Sequence, residues 1–427
     1  MSLRMSMLSL ALLAAPAAAD VVVVDPASGN GGALLLAALA GAHDGDVILV
    51  RPGQYTTPPA AGYDMPDHSL AVVADAGGAH VALGMVRVIH LSAGHDLLIR
   101  GFDITPVGLA QNEVAFCDGS VRFEDCTAVG APGFSFPNPF VPETWIHVPG
   151  QPAFLITSAA DLVFERCTLA GGDGQDGTNG LSDASTPGGA ALDLADARVV
   201  LGDCTVTGGV GGGLLNSPIG PAIGGPGVTV TSTAFGPTQL FLLGGSVSGG
   251  AGGNSPTVGG AGGAGLAGGD AGTLLWQRAA LVAGGAGGLG AVRGTAGPTS
   301  TLVATVTSFG AAWGSALVPA PLREGGAATL ELSGGPGDMA LVIMSTAHAL
   351  APLKAKQAPL LVDPAGLVGP LVLGALDGSG HLSLPFTVPH LPDGLDGLVF
   401  PLQLALTSGA GTTLGGATDF VWIDAAF

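Results

Sequence analysis

The chain has 427 residues, with 74 Gly, 31 Pro, and only 12 Lys plus Arg against 32 Asp plus Glu, a formal charge of −20. That balance makes nucleic acid and anionic membrane surfaces poor partners, and strongly anionic polysaccharides less natural substrates unless a cation bridges them. An apolar content of 47% excludes bulk disorder, and the length predicts two domains.

Residues 1–19 carry Arg4, an apolar run at 7–15 and Ala17-Ala18-Ala19 before Asp20. We expect an export signal cleaved near Ala19, which places the mature protein outside the cytoplasm. No later run is long and free enough of Gly and Pro to span a bilayer. Residues 21–24 read as a strand, 31–42 as a short apolar helix, and 46–55 as a strand ending in a turn.

The middle of the chain is ordered by a repeat. Residues 153–170 read AFLITSAADLVFERCTLA, and the same 18-residue frame fits without a gap at 88–105, 112–129 and 190–207. Weaker copies lie at 239–250 and 273–284. Aligned on Cys167, the position five residues upstream holds Leu97, Val121, Leu162, Val199, Leu240 and Leu274. The third upstream holds Ile99, Phe123, Phe164, Leu201, Leu242 and Trp276, and the second downstream Ile104, Ala128, Leu169, Val206, Val247 and Leu281. An apolar period of two predicts strands with one buried face, and the mixed columns between them read as outward. The phase breaks just before the Cys column, so a corner is expected there. Short strands, corners and a fixed period predict a solenoid. The first two copies are 24 residues apart, about one coil; later spacings of 41, 37, 41 and 34 carry insertions after the Gly-Gly.

The Cys column (Phe102, Cys126, Cys167, Cys204, Gly245, Ala279) predicts a ladder of small buried side chains. Stacked positions form a line rather than a tetrahedron and no CxxC is present, which argues against a metal site. Cys117 stands outside the ladder, and a Cys117–Cys126 bridge is left open. The preceding column (Gly101, Asp125, Arg166, Asp203, Gly244, Arg278) alternates acid and base. It reads as an exterior charge ladder rather than a catalytic pair.

The insertions hold the candidate site residues. Residues 131–151 supply Phe134, Phe136 and Trp145 as sugar-stacking candidates, with Glu143 and His147 beside them. Glu143 with Asp173, Asp176 or Asp183 would give the two carboxylates a glycosidase places across one bond. Glu143, His147, Asp173 and Asp176 are therefore the catalytic candidates. Against catalysis, the insertions at 209–227 and 250–272 are almost pure Gly, Ala, Pro and Ser, and Asp270 is their one acid or base. The competing expectation is that the insertions pack on one another through backbone hydrogen bonds. Residues 171–176 (GGDGQD) satisfy half of the calcium-binding nonapeptide, with Asp173 and Asp176 as ligands. The similar stretches at 249–254 and 284–289 lack the Asp, so no cofactor is expected. His43, His68, His80, His90 and His95 fall at unrelated positions and read as solvated turn residues.

Pro319 and Pro321 mark a linker at 317–322. Residues 323–427 carry short strands at intervals of about 10–15 residues with Gly/Pro turns, which predicts an antiparallel β-sandwich.

A small helix followed by G-D-x-I-x-V-x-P-G-x-Y, from Gly45 to Tyr55, resembles the entry cap and first coil of right-handed parallel β-helix proteins of the pectate-lyase-like superfamily. The resemblance implies an all-β chain: a helically capped parallel β-helix over residues 20–316, then the smaller sandwich. Polysaccharide lyases, glycosidases, epimerases, phage tailspikes and adhesins share that fold, so no activity follows from it. The expected function is an exported, non-catalytic role in cell-surface structure, adhesion or glycan binding. A polysaccharide lyase or glycoside hydrolase with a site on the flank is the alternative, and a calcium-stabilised adhesin the second.

Overall fold

In a computed structural model the apolar columns become hydrogen-bonded neighbours. The structure describes residues 19–427 except 29, 56–61, 76–80, 142–144, 178–183, 215–219, 232–235, 310–312, 320, 352–357 and 410. Apart from Ala19, the expected export signal lies outside the described residues. The chain is all-β, with one α-helix, Gly31–Gly41, among the described residues.

Two parallel sheets, one of 14 strands and one of eight, organise the chain from Val21 to Phe309. On the larger, Asp96–Arg100, Glu113–Glu124, Phe154–Glu165, Arg198–Gly202, Gln239–Leu243 and Leu266–Arg278 pair in succession. Their register sets Leu97, Val121, Leu162, Val199 and Leu240 side by side. The smaller sheet aligns Ile104, Ala128, Leu169, Val206 and Val247. All of these fall in one continuous buried cluster, closed at its N-terminal end by Leu35 and Leu39 of the helix. Asn30 starts that helix by accepting the Ala33 N–H through its side chain.

A corner separates the two sheets. Gly101, Asp125, Arg166, Asp203, Gly244 and Ala279 all have left-handed φ there, from 48° to 83°. Asp and Gly suit that conformation; Arg166 and Ala279 adopt it at a cost of about 1–2 kcal/mol each. The turned residue aims the next one inward, so Phe102, Cys126, Cys167 and Cys204 are buried. Each thiol donates to a backbone carbonyl, as Cys167 does to Phe123 at 3.3 Å. All four cysteines are free, and Cys117 belongs to the same buried cluster rather than lying apart from it.

Three expectations need correction. The frame is not gap-free: Val121 pairs with Leu97 but Val114 with Val88, a two-residue offset between the halves of one copy. The last copy is displaced by one residue, because Leu240 pairs with Leu275 and Val247 with Val282. Leu275 and Ala280 therefore face inward, Trp276 stacks on Phe241 outside at 4.4 Å, and Leu281 is exposed. Third, the outward columns beside the first sheet are not solvated. Leu98, Val163, Val200, Phe241 and Leu243 are all buried.

The C-terminal chain covers them. Two sheets, an antiparallel one of three strands and a mixed one of five, enclose an apolar cluster of their own. The three-stranded one begins at Ser315–Leu317, ahead of the expected linker. Leu322–Arg323, at the end of that linker, pairs in parallel with Gly411–Ile423. The outer surface of the larger parallel sheet packs on Val421 and Ile423 near its start, and on Leu360, Leu361, Leu414 and Ala417 farther along.

Candidate functional site

Chemistry-bearing residues gather in two places: the wall built by the insertions and the seam under the C-terminal chain.

The insertions fold as paired arms. Outbound segments 130–133, 171–177, 208–214, 249–255 and 284–290 lie side by side, bonded at every third residue: Gly171 to Thr207, Gly174 to Val210, Gly208 to Ser248, Gly211 to Ala251. The returning segments form a second layer in the same way, through Gly224 to Ala261 and Gly262 to Thr295. A third set joins the layers in a zigzag through Gln151, Gly172, Gly189, Gly209, Gly225, Gly250, Gly263, Gly285 and Gly297, each step 2.7–2.8 Å. A three-residue period is that of the polyproline II helix, which has no internal hydrogen bonds, so each arm satisfies its backbone on its neighbours. Glycine is required for that approach. A Cβ on Gly172 would stand 1.9 Å from the Ala131 carbonyl oxygen, and one on Gly250 1.9 Å from that of Gly209.

Only every third residue faces solvent, and Asp173 and Asp176 occupy such positions. Their carboxylates accept from the neighbouring arm: Val210 N–H at 2.8 Å and Gly213 N–H at 2.6 Å. Asn254 does the same for Leu289 at 2.7 Å. Three residues at about 3.1 Å each separate the two aspartates by roughly 9 Å of arm. Calcium ligands crowd one ion at about 2.3–2.6 Å. The arm therefore spreads this pair rather than assembling it. Among the described residues no group of three His, Cys, Asp or Glu side chains is placed to hold a metal.

The first arm pair ends in an antiparallel hairpin, Phe134–Pro137 with Trp145–Val148. Its pleat divides the aromatic candidates. Phe134 and Phe136, stacked at 5.8 Å, point to one face, while Trp145 and His147 belong to the other phase. His147 Nδ1 is 2.8 Å from Ser135 Oγ, its cross-strand partner. Glu143 and Asp183 lie outside the described residues. No pair of carboxylates with an acid or base between them forms here among the described residues.

The seam is where sequence reasoning missed most. Arg100, Arg122 and Arg166, from three adjacent strands, meet Glu124, Asp125 and Asp419. Arg166 Nε lies 2.7 Å from Asp125, Arg100 Nε 2.9 Å from it on the other side, and Arg122 Nη2 3.0 Å from Glu124. Other guanidinium donors reach C-terminal carbonyls: Arg100 to Asp419, Arg166 to Ala316, Arg122 to Leu361 and Arg278 to Leu414. Glu124 in turn accepts from Thr418 Oγ1 and the Asp419 N–H. His348 Nε2 sits 2.7 Å from Asp419, and its ring faces Asp96 on the far side at 3.5 Å.

Burial raises the carboxyl of Asp419, but His348 and Arg122 overcome it and hold the group well below its ordinary range. Burial likewise opposes charge on His348, yet Asp419 lifts the imidazole to about 9. Glu165 behaves oppositely: burial, only partly offset by Arg166, pushes it to about 8, so it is neutral at pH 7. Gly202 and Gly416 flank its carboxyl where any Cβ would collide with it. At neutral pH the seam thus balances Arg100, Arg122, Arg166 and His348 against Glu124, Asp125, Asp419 and Asp96. The charged column read as an exterior ladder is in fact the anchor of the C-terminal chain. Its sequence signal was the charge of Asp125, Arg166 and Asp203 at successive corners.

Beside the seam lies a cavity of about 240 Å³ lined by Asp44, Ser69, Asp96, Thr346 and His348 over Leu98, Leu398 and Pro401. Asp44 is committed to the Ser69 N–H at 2.7 Å and Asp96 to the His348 N–H at 3.1 Å. Of the early histidines, His95 is 3.2 Å from Asp67, and His90, at φ 63°, stacks on Phe116 at 5.4 Å. His80 lies outside the described residues. No helix among the described residues is long and apolar enough to cross a membrane. No protein-family model matches the chain, and no curated protein is detectably similar to it in sequence.

Proposed function

We propose that this is an exported, non-catalytic protein of the cell surface: a right-handed parallel β-helix with a C-terminal β-sandwich clamped along its flank, serving adhesion or envelope structure. Successive in-register parallel strands, a recurring left-handed corner and a capped apolar column support the β-helix. Right-handedness is the overwhelming preference of parallel crossovers. The observation that carries the function is the fate of the ionisable groups. Most of those that converge pair with one another or with C-terminal carbonyls, and the wall where β-helix enzymes place a groove is largely hydrogen-bonded backbone. Such a wall is mostly backbone, and its exposed acids Asp173 and Asp176 are spread along an arm rather than paired across a groove.

The test is a panel of neutral and acidic polysaccharides incubated with the mature chain, with and without Ca²⁺. We expect no new reducing ends and no unsaturated products, together with retention on isolated cell envelopes or an insoluble glycan. Depolymerisation that is lost in Asp173→Asn or His147→Ala would replace this reading with a flank-sited polysaccharide-active enzyme.

A further inference from the structure

The stacked interior column is closed at one end and open at the other. Leu97, Val121, Leu162, Val199 and Leu240 are fully buried and Leu275 is 4% exposed, but Val306, next in the same column, is 56% exposed. Val303–Phe309 is the last strand of the larger parallel sheet, and among the described residues it pairs only with Leu266–Arg278, which leaves its other edge without a partner strand among them. The arms end in the same way. Gly171, Gly208 and Gly249 each donate to the next arm, whereas Gly284 and Gly287 have no acceptor among the described residues.

We propose that this end binds a second copy of the chain, tail to tail about a two-fold axis. Three observations select that occupant. The first is charge. The protein carries −20, so most faces of two copies repel, yet no Asp or Glu occurs from residue 271 to residue 323. The second is the cap. The Gly31–Gly41 helix covers the opposite end, which blocks head-to-tail stacking into an open fibre and leaves a closed, self-complementary contact. The third is the strand itself. Val306 is its central residue, so an antiparallel pairing centred there sets Val306 against Val306 and Ala304 against Ser308. Those residues share one phase, so the inner face of each copy meets the inner face of the other. A row of unpaired N–H and C=O groups is complementary to its own inversion.

Sedimentation of the mature chain across a concentration series tests this. Wild type is expected at twice the chain mass, and Val306→Arg, which sets two cations against each other, should weaken association about thirtyfold or more. Hydrogen exchange on the wild type is the second arm. Amides of residues 303–309 should gain protection as concentration rises, whether or not the variant folds. A monomer at every concentration, or a dimer that Val306→Arg leaves intact with those amides unprotected, overturns the proposal.

Discussion

Asp125 shows how much one residue carries. It adopts the left-handed corner conformation, turns the chain so that Cys126 points inward, and receives Arg100 and Arg166 on its two oxygens. Its burial would raise the carboxyl, but the two arginines hold it below its usual range. Asp419 is the C-terminal counterpart: wholly buried, facing Arg122 and His348. Removing its charge strands two cations in a dry seam. Asp419→Asn should therefore destabilise by about 3–5 kcal/mol, read as a fall in the urea midpoint. Replacing an exposed outward residue such as Leu281 by Lys should leave that midpoint unchanged.

Among the elements, strands and arms are built on opposite principles. The strands use side chains: Phe123 and Phe164 stack at 5.1 Å within the column, and Phe154 leans on both. The arms use none. Most of their hydrogen bonds run backbone to backbone, and at glycines such as Gly172, Gly209 and Gly250 there is no room for a Cβ. Gly250→Ala should unseat its arm, seen as fast hydrogen exchange from 249 to 265 and a lowered melting temperature. Ala251→Val, one residue along and facing outward, should be tolerated. This contrast also explains what the sequence made legible. Column residues such as Leu162, Phe164 and Leu169 announce themselves by period two. The last copy slipped by one because Leu274, Leu275 and Trp276 are apolar in both phases, so patterning alone had no preference. The aspartates at 173 and 176 looked like ligands because glycine around them carries no pattern that reveals an arm, whereas the backbone shows them serving neighbouring N–H groups.

For the molecule as a whole, the seam was the least legible feature, since its partners are far apart in the chain. Arg100 meets residue 419 and Arg122 residue 361, and a column such as Val163, Val200 and Phe241 appears outward until the C-terminal chain covers it. The seam also sets how stability depends on pH. His348 is raised from 6.5 to about 9, so its contribution is complete below about pH 6.5 and disappears as pH climbs through 9. Glu165 acts in the same direction: raised from 4.5 to about 8, it is accommodated as the neutral acid, and that advantage is lost between those values. Asp419 and Asp125, both depressed, contribute above their ordinary range and fail only in acid. Thermal unfolding followed across pH should therefore show a maximum near pH 5 and a progressive loss from there toward pH 9, and His348→Phe should flatten the alkaline end.

The three-residue repeat of the arms has a consequence for how such a protein can change length. Donor to the same layer, donor to the other layer and solvent-facing residue recur in strict rotation along each arm. Adding one Gly-Gly-x unit to both legs of an arm lengthens the wall by one rung and preserves every role. Adding a single residue rotates all later positions by a third of a turn and drives a side chain into a gap of less than 2 Å beside a neighbour's carbonyl, as at Gly172 or Gly250. Arm length is thus quantised in triplets. The wall can be extended or trimmed in whole steps while the column it stands on stays the same.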